Sequence, residues 1–111
     1  MRSFVAATLE ADGGFEVTQA ESGFAALKAL PGAGFELVIT DVNMPDINGL
    51  ELIRFVRSSP HHRDTPLVII STEGRERDRD RGLSLGANAY LVKPFTPEAL
   101  LDVVRRLLPA E

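Results

Sequence analysis

Apolar and polar positions alternate with two periods along the chain, and the switches between them outline its elements. Residues 2–12, RSFVAATLEAD, place Phe4, Val5, Thr8 and Leu9 on one side at helical spacing, and Gly13-Gly14 closes the pattern as a helix stop. Phe15–Ala20, FEVTQA, alternates apolar with polar residues and predicts an outer strand. Ser22 offers a capping oxygen to a helix over Phe24–Leu30, which Pro31-Gly32-Ala33-Gly34 ends. Leu37-Val38-Ile39 is a continuous apolar run that stops at Asp41, the pattern of a strand covered on both faces. Asn48 then caps a helix through Leu50, Leu52, Ile53 and Val56. Ser59–Asp64 is a loop, and Pro66 opens a second buried strand, Leu67–Ile70, ending on the hydroxyls of Ser71 and Thr72.

The run Gly74–Gly82, GRERDRDRG, sets opposite charges three residues apart, Arg75 with Asp78 and Glu76 with Arg79, and predicts a solvated helix face. A last strand, Ala89–Val92, ends at Lys93-Pro94. Thr96 and Pro97 form a cap and first-turn pair for a final helix that puts Leu100, Val103, Val104, Leu107 and Leu108 on one face, with Arg105 and Arg106 near its end. Four strands alternating with five helices predict a doubly wound α/β domain with a parallel sheet, joined by right-handed crossovers. Folds of this kind normally open with a strand, and this chain opens with a helix.

Composition narrows the picture. With 111 residues, 44% hydrophobic and 25% charged, the chain suits a single domain, 1–111, of a soluble protein, and its longest apolar runs fall far short of a membrane span. No signal-peptide core stands at the N-terminus, so a cytoplasmic location is expected. Cysteine is absent, which removes disulfides and thiolate metal sites. A net charge of -4, without a basic stripe, argues against nucleic acid as a partner. His61 and His62 read as solvated loop residues.

The chemistry gathers at strand ends. Asp41, then Ser71 with Thr72, then Lys93 follow three successive apolar runs, and in a parallel sheet such positions share the carboxyl edge where ligands bind. A carboxylate can attack phosphorus while an ammonium and a hydroxyl neutralise and orient the phosphoryl oxygens, so phosphoryl transfer fits better than acid–base work.

These motifs resemble the receiver domain of two-component response regulators, of the single-domain chemotaxis type. DVNMPDINGLEL is similar to that family's phosphoacceptor loop, IISTEG to its hydroxyl-bearing switch loop, GANAYLVKPF to its lysine strand and TPEALLDVVRRLL to its last helix. The resemblance implies a flavodoxin-like fold and a phosphoprotein switch rather than an enzyme. It also implies Asp41 as acceptor from a histidine kinase, Ser71 and Lys93 on the phosphoryl group, and the Asn43 carbonyl on Mg²⁺. Thr72 and Glu73 would flank the site, Tyr90 would be the switch aromatic, and the bond before Pro94 would be cis. A downstream output protein would read the helix around Arg75–Leu85, the Tyr90 strand and the last helix.

Two departures qualify the resemblance. Asn48 stands where the family usually has aspartate, and both cap helices well. More consequentially, receivers begin with an apolar strand ending in an acidic pair that holds Mg²⁺, and Met1-Arg2 resembles residues just beyond it. The expectation is therefore an N-terminally truncated receiver with weak or absent Mg²⁺ binding: either Met1 is an internal methionine of a longer protein that carries the missing strand, or the short chain repairs its sheet by closing up or by segment exchange in a homodimer. One alternative is a phosphorylation-incompetent receiver serving as a binding or dimerisation module. An aspartyl-phosphate hydrolase would need an acid two residues after Asp41, where Asn43 stands.

Overall fold

A computed structural model describes residues 2–12, 15, 17–20, 22–30, 35–41, 49–60, 62–72 and 76–108, the side chains of residues 2, 3, 71, 72 and 76–79 excepted. In chain order the elements are α1 (Arg2–Ala11), α2 (Gly23–Ala29), β1 (Val38–Asp41), α3 (Gly49–Ser58), β2 (Leu67–Thr72), α4 (Glu76–Leu85), β3 (Ala89–Lys93) and α5 (Pro97–Leu107). The strands form a parallel sheet in the order β1-β2-β3.

The central strand shows why the fold is doubly wound. Successive strand side chains point to opposite faces, and Leu67, Val68, Ile69 and Ile70 are all buried, at 2% exposure or less. Leu67 and Ile69 pack with Leu30, Leu50, Leu52, Ile53 and Val56 from α2 and α3. Val68 and Ile70 pack with Val5 and Leu9 of α1 and Leu100, Val103 and Val104 of α5. A four-residue apolar run thus fills two cores at once. Ile53 alone, fully buried, is worth about 2–5 kcal/mol against truncation to alanine.

Caps and close approaches fix the helix ends. The Ser22 hydroxyl accepts from Ala25 N at 3.1 Å and the Thr96 hydroxyl from Ala99 N at 3.1 Å, with Pro97 in the first turn. Gly82 brings α4 against β2 so tightly that an added Cβ would lie 2.0 Å from Ile69 Cδ1. Gly86 turns the chain out of α4 at φ 123°, a conformation that side chains disfavour. The α1 stripe is rotated slightly from its expected position: Val5, Ala6 and Leu9 are buried, whereas Phe4 is 37% exposed and meets Phe95 edge-on at 5.7 Å.

Two expectations are corrected. Residues 15 and 17–20 belong to no strand, so three strands rather than four are seen among the described residues. A strand exists by pairing, and here Phe15 and Val17 are held instead by packing, partly buried, against the core that Val68 and Ile70 share with α1 and α5. Nor is His62 solvated. It is 1% exposed, with Nε2 2.8 Å from the Leu30 carbonyl and Nδ1 3.2 Å from the Thr65 hydroxyl. A carbonyl can only accept, so Nε2 carries a proton and joins the end of α2 to the α3–β2 loop. His61, Gly13-Gly14 and the Asn48 cap lie outside the described residues.

Candidate functional site

The chemistry-bearing residues are delivered to the carboxyl edge by the ladder itself. Asp41 is level with Ile70, Ile70 with Leu91, Ser71 with Val92 and Thr72 with Lys93. Lys93 therefore starts two strands across and two residues ahead of Asp41, about 10 Å sideways and about 7 Å forward. Only a long side chain reaches back over that offset, and Lys93 Nζ makes a short ion pair and hydrogen bond with Asp41 Oδ2. The two side chains are 28% and 25% exposed, open enough for a small reactant and covered enough for the charges to act on it.

The hydroxyl-bearing end of β2, Ser71-Thr72, lies between these two strand ends in the sheet order. The side chains of both residues, together with Asn43 and Glu73, lie outside the described set. Tyr90 is half-buried on β3, level with Ile69 and packed on the α3 side of the sheet. The Lys93–Pro94 bond is cis, as the resemblance implied.

Sequence reasoning passed over a second polar cluster at the opposite edge. Arg57 Nε donates to the Gly86 carbonyl at 2.9 Å, Nη1 lies 3.1, 3.1 and 2.7 Å from the carbonyls of His62, Arg63 and Thr65, and Nη2 donates to Asn88 Oδ1 at 2.8 Å. Asn88 in turn accepts from Leu67 N at 2.9 Å and donates its own N–H to the Leu67 carbonyl at 2.8 Å. An arginine beside a loop was the available signal, but its acceptors come from segments up to 31 residues away. A groove of about 370 Å³ lies at this same edge, between Phe35, Pro60, Thr65, Pro66 and Leu108. Its charged residues, Glu36, Arg63 and Asp64, are exposed, and Asp41 and Lys93 take no part in it.

Magnesium requires near-octahedral oxygen ligation and draws it from carboxylates, phosphates and water. Among the described residues no group of three or more His, Cys, Asp or Glu side chains gathers, and Lys93 already occupies an Asp41 oxygen. The described residues do not fit a resident Mg²⁺ ion. No described helix is long and apolar enough to cross a membrane.

An open parallel sheet wound on both faces, with an acid and a lysine paired across the carboxyl ends of its strands, defines an α/β domain whose site is a strand-end crevice. The chain belongs to the response regulator receiver domain family, whose model matches residues 1–105. It is 38% identical over 109 residues to the chemotaxis protein CheY1 of Helicobacter pylori, covering 97% of this chain and 88% of that protein. The crystal structure of the chemotaxis response regulator CheY4 of Vibrio cholerae superposes with a TM-score of 0.88 at 39% identity, covering 96% and 88% of the two chains. The receiver domain of a Pseudomonas aeruginosa sensor histidine kinase, with a magnesium ion coordinated in its active-site cleft, shares the fold at a TM-score of 0.87 and 24% identity over 97% and 88%. The chain is thus a receiver of two-component signalling, a family of switches with a flavodoxin-like fold.

Proposed function

We propose that residues 1–111 act as one receiver unit in which Asp41 accepts a phosphoryl group from a histidine kinase and Lys93 neutralises the added charge. The observation that carries this reading is the Asp41–Lys93 ion pair, formed across the carboxyl edge of the sheet with the Ser71-Thr72 end of β2 between the two strands. An opposite charge in contact offsets the repulsion between the carboxylate and the incoming phosphoryl oxygens and remains beside the oxyanion after transfer. Ser71 contributes its hydroxyl to the phosphoryl oxygens, Thr72 flanks the site, and Tyr90 reports the change to an output protein. Differential affinity of that partner for the two forms is the switch. The protein works in the cytoplasm, and its catalytic part is confined to assisting its own phosphorylation and dephosphorylation. The Mg²⁺ ligand role assigned to Asp41 and the Asn43 carbonyl is weak, because the described residues offer a cation so little.

The test is intact-mass measurement after incubation with acetyl phosphate and Mg²⁺, beside an Asp41→Asn variant. The expected result is one added phosphoryl group on the wild type and none on the variant. A folded wild type that gains nothing would leave the binding-module reading. A homodimer formed by segment exchange would then be the form to look for by sedimentation.

A further inference from the structure

The disagreement between Asp41's surroundings and a metal site carries a chemical consequence. We infer that the Asp41–Lys93 site takes up its phosphoryl group without a divalent cation, with the Lys93 ammonium supplying the positive charge; this deepens the phosphoacceptor reading and rests on it. A cation binding at Asp41 would have to share the carboxylate with Lys93 and approach against its charge, and among the described residues no group of three or more His, Cys, Asp or Glu side chains gathers to offset that repulsion. Lys93 meets the requirements placed on the compensating charge. It is fixed by the β2–β3 ladder, reaches the acid from two strands away and is 28% exposed, so that it can stay with an oxyanion arriving from solvent. In the transfer itself, a carboxylate oxygen of Asp41 forms a bond to phosphorus. The bond from phosphorus to the bridging oxygen of acetyl phosphate breaks, and its electron pair leaves with acetate. No proton, oxidant or reductant is needed to balance the step.

The experiment uses the full chain with acetyl phosphate in parallel reactions containing Mg²⁺ or EDTA, read by intact mass over time. Calorimetric titration with magnesium chloride alone runs beside them. The expected result is initial rates that agree within about threefold in the two conditions and no magnesium binding tighter than about 10 mM, because a metal acting on the phosphoryl group would contribute far more than that difference. A stimulation by Mg²⁺ of about tenfold or more, or a magnesium dissociation constant below about 1 mM, overturns the inference while leaving Asp41 as acceptor. Absence of phosphorylation in both reactions overturns the acceptor reading and this one with it. Lys93→Gln, shown folded by circular dichroism, is expected to lose about 100-fold in rate in EDTA. Lys93→Arg should recover part of that loss. An unchanged rate in Lys93→Gln removes the lysine from the role and overturns the inference.

Discussion

The two edges of one sheet are built on opposite plans. At the amino edge, Arg57 meets acceptors on nearly every side, Asn88 clips the start of β2 to the start of β3, and His62 is buried between a helix end and a loop. At the carboxyl edge a single described ion pair spans three strand ends and is a quarter open to solvent. The first arrangement satisfies groups that the chain cannot leave unpaired. The second leaves charge where a reactant can reach it. A small fold can hold a receptive site at one end because the other is tied together by hydrogen bonds, and between the two edges stability should be the more sensitive to substitution at the amino edge.

The sharpest way to break that contrast is Arg57→Met, which keeps the aliphatic stem but strips the donor from the carbonyls of Gly86, His62, Arg63 and Thr65 and from Asn88. A loss of about 3 kcal/mol in urea denaturation is expected, with phosphoryl uptake by the folded fraction retained. A loss below about 1 kcal/mol would mean that solvent replaces the guanidinium and that the amino edge is no staple. Next in size is His62→Leu. It fills the same space but leaves the Leu30 carbonyl and Thr65 hydroxyl without their ring partner, for an expected cost of about 2 kcal/mol by the same measurement. Smallest is Lys93→Gln at the other edge, whose stability should change by less than about 1 kcal/mol because a partly solvated pair contributes little net. Lys93→Gln proving more destabilising than Arg57→Met would reverse the assignment of the two edges.

How much of this was legible in the sequence follows the same division. Local patterns were read well: the apolar run before Asp41, the Leu67–Ile70 strand buried on both sides, and the Ser22 and Thr96 caps all depend on neighbours a few residues apart. Asp41 and Lys93 were placed together because parallel strands bring their carboxyl ends to one edge, a rule of topology that needs no coordinates. Failures came where the deciding partner was distant or lacking. His62 read as solvated because nothing nearby in sequence reveals that the Leu30 carbonyl, 32 residues earlier, comes to meet its ring. Phe15–Ala20 read as a strand because composition reports strand preference and is silent on whether a pairing neighbour stands beside it.

Gly82 and Gly86 constrain α4 in a way that can be expressed as leverage. The helix is seated against Ile69 at Gly82, where the strand side chain takes the room of a Cβ, and Gly86 just beyond it gives its carbonyl to Arg57. A displacement of α4 that respects both contacts is a pivot about its C-terminal end. From Gly82 back to Glu76 the arm is about 9 Å at the rise of an α-helix, so a tilt of about 10° carries the first turn of α4 through about 1.6 Å while the last turn hardly moves. The glycine that fixes one end of the helix thereby sets the amplification available at the other.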